Sequence, residues 1–151
     1  MSFNESSSSN TRPNFVFDYY LNEQKSNSNV LEKRQSLINE IEAFWRENTI
    51  GFSENFDAPV SKETFLNAKN FILMLPLSDL PSEVIAVSGK GHIGFDWNNP
   101  DGRTFTAVIT GSEIYFAALL NKGQRLKGSL NFNFVSIPNQ ILDAIGLTFS
   151  K

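Results

Sequence analysis

From residue 84 onward, apolar and polar residues alternate with a period of two, and this pattern constrains the fold more than any other feature. Short loops interrupt the pattern, and each contains glycine, as hairpin turns do. These loops are Gly89–Gly91, Asn98–Gly102, Gly111-Ser112 and Asn121–Gly123. The pattern predicts a five-stranded antiparallel meander with strands Val84–Ser88, His92–Trp97, Arg103–Thr110, Glu113–Leu120 and Gln124–Asn131.

The lengths of the last three loops predict which residues lie opposite one another, and such pairs share a face of the sheet. The first hairpin stays open between a two-residue and a three-residue turn. The predicted pairs are Phe95–Phe105, Ile93–Ala107, Trp97–Arg103, Ile109–Ile114, Ala107–Phe116, Phe105–Ala118, Ala118–Leu126, Phe116–Gly128 and Ile114–Leu130. All three registers place the apolar residues on one face, which a slip of one residue would break.

Three helices are predicted to cover that apolar face. The first begins at Asn29, a good N-cap with Glu32 three positions on, and its apolar pattern fades by Asn48. Ser61 caps the second, and Pro76 stops it. The third is Pro138–Leu147. The sequence therefore predicts an α+β fold, a five-stranded antiparallel meander with helices packed on one face.

The first 28 residues are predicted to form a largely disordered arm. Met1–Asn14 is polar and rich in serine. Phe15–Leu21 is a short aromatic run that we interpret as an edge strand or as an arm folded onto the domain, and Asn22–Asn29 reads as a linker. Residues 29–151 are then a single α+β domain.

Composition excludes several classes of function. The 151 residues include no cysteine and one histidine, so disulfides, thiolate nucleophiles and multi-histidine zinc sites are excluded. The net charge of −3 gives no general nucleic-acid signature. We find no apolar run that could span a bilayer and no signal-peptide pattern, so we expect a cytoplasmic protein without a membrane contact.

The order of segments resembles a widespread family of small, functionally uncharacterised bacterial proteins. The matching residues are Asn55-Phe56-Asp57, Ala58-Pro59-Val60-Ser61, Leu75-Pro76, Gly94-Phe95-Asp96-Trp97 and Pro138-Asn139-Gln140-Ile141-Leu142. The chain departs from the family in having Phe56 for Trp and Asp96 for Glu, and in lacking glycines after Asp57. The resemblance implies no catalytic residue. Because family members look like mobile-element or phage genes, it implies an accessory interaction role.

The residues show no set typical of catalysis, a metal or a cofactor. His92 has Asp96 on the same predicted face, but four residues of strand separate side chains by roughly 13 Å. A hydrolase based on His92 is therefore the weakest of three hypotheses. The glycine-containing loops lack phosphate-loop spacing. We expect no catalytic residue, no metal site and no cofactor.

The leading hypothesis is a non-enzymatic protein of bacterial or phage origin that masks a protein partner. It would act like an antitoxin or a phage-encoded, anti-CRISPR-like inhibitor of host defence. The other sheet face is half apolar, and a second copy of the chain is a further candidate partner. The alternative is a small nucleic-acid-binding module using Tyr115, Arg125 and Lys127. The predicted partner-binding residues are Trp97, Arg103, Val108, Tyr115, Leu119, Arg125 and Lys127. For Trp97 and Arg103 the alternative is a structural cation–π pair that closes the sheet edge.

Overall fold

A five-stranded antiparallel sheet forms the centre of the computed structural model, which describes residues 15–50, 59–87, 91–133 and 135–151, with only the backbone for residues 15–27 and 48–50. Its strands follow chain order, β1-β2-β3-β4-β5, so the predicted meander and the α+β class are confirmed. The elements are α1 (Phe15–Ile50), α2 (Lys62–Met74), a 3₁₀ turn (Leu77–Asp79), β1 (Glu83–Val87), β2 (His92–Asn98), β3 (Thr104–Thr110), β4 (Glu113–Leu119), a 3₁₀ turn (Asn121–Gly123), β5 (Arg125–Asn131) and α3 (Asn139–Phe149).

Two of the three predicted registers are confirmed. Ile109 lies opposite Ile114 across β3 and β4, and Ala118 lies opposite Leu126 across β4 and β5. In the first hairpin, which the sequence left open, Val84 lies opposite Phe95. These pairings put the predicted apolar set on one face of the sheet.

The predicted register between β2 and β3 is wrong by two residues. Phe95 lies opposite Ala107 rather than Phe105, Ile93 lies opposite Ile109 rather than Ala107, and Trp97 lies opposite Phe105 rather than Arg103. A shift of two residues keeps every side chain on its face, so the apolar alternation does not detect it. The backbone of the loop closes at Asn99, whose N–H donates to the carbonyl of Arg103 at 2.9 Å.

Helices α2 and α3 cover the apolar face. Phe71 of α2 packs its ring against those of Phe95, Trp97 and Phe132, with ring centroids 5.4, 6.3 and 6.0 Å away. On α3, Ile141, Ala144, Ile145 and Thr148 recur at helical spacing and are buried. This side of the sheet therefore faces the hydrophobic core, and α2 and α3 do not cover its other side.

The predicted cap of α2 is confirmed, since the Ser61 hydroxyl accepts a hydrogen bond from the Thr64 N–H at 3.0 Å. The helix ends at Met74, before Pro76 as expected. The Thr64 hydroxyl in turn accepts from the Gly111 N–H at 2.8 Å, and the Asn67 amide donates to the Gly111 carbonyl. These bonds tie the start of α2 to the β3–β4 turn.

Phe15–Leu21 belong to helix α1, so the prediction that they form an edge strand is wrong. Asn22–Asn29 is likewise helical rather than a linker, and the helix does not begin at Asn29. Neither glycine nor proline interrupts residues 15–50, so the backbone can continue as a helix through a polar stretch. Met1–Asn14, predicted to be disordered, lies outside the described residues.

The chain divides into two units, Met1–Leu31 and Glu32–Lys151. Within the second unit, the later part of α1 packs on α2. Trp45 stacks on Phe65 with ring centroids 4.8 Å apart, and Arg34 donates to the Leu75 carbonyl at the end of α2. A cationic side chain at that end of a helix interacts favourably with the helix dipole.

Candidate protein-binding face

The candidate site is the sheet face that points away from α2 and α3, here called the outer face. Its side chains come from alternate residues of all five strands, and the ladder fixes how they line up. On β4, Tyr115 is 46% exposed, and Leu119, the last residue of the strand, is 38% exposed. Large apolar side chains held this way on a rigid scaffold are typical of a protein-binding surface.

One row across the outer face is largely apolar. Ladder pairing aligns Ile85, Gly94, Val108, Tyr115 and Ser129 across the five strands. A Cβ atom at Gly94 would lie 2.7 Å from Cγ1 of Ile85, so the isoleucine side chain occupies the space above the glycine. The result is a continuous apolar band from β1 to Tyr115 on β4.

The predicted list of partner-binding residues missed Ile85 and Gly94. The face on which they lie depends on whether the first hairpin has a two-residue or a three-residue turn, and the sequence does not decide between these. Once Val84 is known to lie on the core side opposite Phe95, alternation places Ile85 on the outer face. The sequence signal for Ile85 was that β1 is apolar at consecutive positions, so that it places apolar side chains on both faces of the sheet.

Charges of opposite sign lie at the two ends of one row of the outer face. A second row aligns Glu83, Asp96, Thr106, Ala117 and Lys127, from β1 to β5. The Thr106 hydroxyl donates to Asp96 Oδ1 at 2.5 Å and fixes that carboxylate. Four strand spacings separate Glu83 from Lys127 by about 19 Å, which exceeds the Debye length of about 8 Å in physiological salt. Each end therefore presents its own charge to a partner.

The basic end adjoins the exposed apolar residues. Arg125 lies opposite Leu119, and Lys127 lies opposite Ala117. Leu119 and Arg125 also line a shallow depression together with Thr104 and Thr106. Of the predicted residues, Val108, Tyr115, Leu119, Arg125 and Lys127 thus share the outer face in one neighbourhood.

Trp97 does not belong to this site, and its prediction as a partner-binding residue is wrong. Its side chain is fully buried on the core side. The indole N–H donates to the Asp79 carbonyl at 2.8 Å, and the ring lies 5.1 Å from that of Phe105. A buried tryptophan needs a partner for its N–H, and this one finds it in the 3₁₀ turn after α2.

Arg103 is also wrongly predicted as a partner-binding residue, because it is only 7% exposed and binds within the chain. Its Nε and Nη2 both reach Asp101 Oδ2 at 2.8 Å. Its Nη1 donates to the Leu147 carbonyl in the last turn of α3 at 2.9 Å. Hydrogen bonds from Arg103 lower the pKa of Asp101 below its usual value. The Arg103 guanidinium therefore caps α3 from within the fold and is not available to a partner.

His92 lies at the start of β2, where it lines a polar cleft with Ser61, Thr64 and Thr110. Asp96 is four residues farther along the same strand, roughly 13 Å away. A carboxylate at that distance cannot orient the imidazole as a general base. The two residues therefore do not form the arrangement that the hydrolase hypothesis required.

Comparison with family models, with curated proteins and with solved structures gives no match. The resemblance carried by the sequence motifs stays a prediction. In the described parts of the chain, no helix is long and apolar enough to cross a membrane. Over the same residues, no three carboxylate or imidazole side chains gather into a group that could hold a metal ion.

Proposed function

We propose that the protein is a non-enzymatic binding protein that masks a protein partner through the outer face of its sheet. Antitoxins and phage-encoded, anti-CRISPR-like inhibitors of host defence act by such masking. The observation that carries this proposal is the exposure of Tyr115 and Leu119 on a rigid strand, beside Arg125 and Lys127.

Physical reasons favour a protein as the partner. Tyrosine supplies a large contact area while losing little conformational entropy, and tyrosine and arginine are enriched among the residues that dominate binding energy. The apolar band through Ile85, Val108 and Tyr115 can be buried against apolar side chains of the partner. A nucleic acid would find a small basic cluster, Lys122, Arg125 and Lys127, at the β5 end, but acidic residues at the β1 end.

The size of the face bears on how the partner binds. Five strands of up to seven residues span about 24 Å in each direction, or roughly 600 Å². Stable complexes bury about 800 Å² on each partner. One copy of the outer face therefore suits a partner that also contacts its rim, or one that meets two copies side by side.

The test uses the double variant Tyr115→Ala/Lys127→Glu. Purified protein serves as bait in extracts of its own source, the captured partner is then produced pure, and its dissociation constant is measured by calorimetry. We expect the double variant to weaken binding about tenfold or more, because an aromatic anchor and a charge are lost together. The matched control is Leu66→Ala/Lys62→Glu, on an exposed part of α2.

Equal affinity of the wild type and the outer-face variant would refute the proposal. So would equal losses in the outer-face variant and the α2 control. Capture of nucleic acid instead, with affinity falling steeply as salt rises, would favour the alternative function.

A further inference from the structure

Strand β5 forms one edge of the sheet, and among the described residues no strand pairs with its outer side. Within the described chain it pairs with β4 on one side, and the strand order ends there. All seven of its residues follow the ladder without interruption. A long regular edge of this kind is a template for pairing with another strand.

The hydrogen bonds at the two ends of β5 show which groups face outward. Leu120 donates to the Gln124 carbonyl at 2.7 Å, and Phe132 donates to the Ser112 carbonyl at 2.7 Å. Even-numbered residues of β5 therefore bond to β4. By alternation, the N–H and C=O groups of Arg125, Lys127, Ser129 and Asn131 point to the open edge.

The core side of this edge is also open. Helix α3 lies over β2, β3 and β4, and leaves a groove of about 390 Å³ between itself and β5. Phe116, Leu126, Ala144 and Leu147 supply its apolar walls. Leu147 is 48% exposed there. A strand added beside β5 would bring apolar side chains next to this groove.

The order of residues in β5 fits a second copy of the same strand. In antiparallel pairing about a twofold axis at Gly128, Leu126 lies opposite Leu130, Lys127 opposite Ser129, and Arg125 opposite Asn131. No two like charges lie directly opposite each other in this register, and both leucine pairs fall on the core side. The two Lys127 residues are diagonal neighbours across the axis, about 7–8 Å apart. Lysine often protects an edge from pairing, but here it meets a serine.

We propose that the protein forms a homodimer in which β5 of each copy pairs with β5 of the other, antiparallel and centred on Gly128. The four outward residues of each copy then contribute about eight hydrogen bonds in total. Because the twofold axis is perpendicular to the sheet, both outer faces lie on the same side of a ten-stranded sheet. The dimer is a proposal beyond the masking function. It would offer the partner two adjoining outer faces, about twice the surface of one copy.

The first measurement is the mass of the full chain in solution against concentration, by sedimentation equilibrium. The monomer is 17.0 kDa, and we expect a species of twice that mass that dissociates on dilution. A monomer at every concentration up to the millimolar range would overturn the proposal.

The second measurement tests the register by exchanging charges. Ser129→Lys creates two lysine–lysine pairs in the dimer, because each new lysine lies opposite Lys127 of the other copy. It should raise the dimer dissociation constant about tenfold at low salt. Lys127→Glu alone leaves a glutamate opposite Ser129, and should preserve the dimer. The double variant Lys127→Glu/Ser129→Lys places opposite charges together and should restore or tighten it. Ser78→Lys, at an exposed position away from the edge, is the control.

A dimer that Ser129→Lys does not weaken, or that the double variant does not restore, would overturn this arrangement. Its failure is separable from that of the masking proposal. The variant used there carries Lys127→Glu, which the proposed register tolerates, so any loss of partner binding in that variant would come from the outer face and not from dissociation.

Discussion

Replacing Arg103 tests the conclusion that this residue caps α3 rather than binding a partner. The substitution Arg103→Met keeps most of the apolar stem and removes the guanidinium. Its Nη1 hydrogen bonds go to the Leu147 carbonyl at 2.9 Å and the Ser150 hydroxyl at 3.3 Å. Removing them leaves the end of the helix without its charged donor.

The expected loss follows from these contacts. A hydrogen bond from a charged donor contributes about 1.5–3 kcal/mol, and a cation at the end of a helix about 0.3–1 kcal/mol. The ion pair with Asp101 adds little, since the carboxylate is exposed. We expect the free energy of unfolding to fall by about 2–4 kcal/mol. With a urea dependence near 2 kcal/mol/M, the midpoint shifts by about 1–2 M.

Urea unfolding followed by circular dichroism measures this shift, with Arg125→Met as the matched control. Arg125 is exposed on the outer face, so its replacement should change the free energy of unfolding by less than about 0.5 kcal/mol. Arg103→Lys keeps the charge without the planar fork, and should fall between the wild type and Arg103→Met. Equal midpoints for the two methionine variants would refute the capping role of Arg103.

Two further perturbations follow from the same contacts. Gly128→Ala should destabilise the fold by about 1–3 kcal/mol, because the added Cβ would lie 2.7 Å from Cζ of Phe116, and Phe116→Leu should recover part of the loss in thermal unfolding. The recovery should be absent if the ring is not the obstacle. Because Arg103 lowers the pKa of Asp101 from 3.8, the carboxylate stabilises the fold above that pH. The stability difference between wild type and Asp101→Asn should persist from pH 5 to 7 and shrink as pH falls below about 4; a difference independent of pH would contradict it.

The sequence determined the sheet because alternation is a local signal. One slip of a single residue would have moved every core side chain to the other face, so the pairs Ile109–Ile114 and Ala118–Leu126 followed from the turns alone. The cap at Ser61 was also local, since its hydroxyl bonds a backbone group three residues on. The same alternation assigned Tyr115 and Lys127 to the face opposite the core.

The tertiary structure decided what local patterns do not encode. A slip of two residues preserves both faces, so the pairing of Trp97 with Phe105 rather than Arg103 was not evident from the sequence. The polar composition of residues 22–29 suits a linker and an exposed helix equally well, and it is helical. Arg103 was predicted as an interface residue because arginine is common in binding hot spots. The sequence does not show that its hydrogen-bond partner is the Leu147 carbonyl, 44 positions away in the chain. Contacts at that separation arise only when the chain folds, and the role of a side chain depends on them.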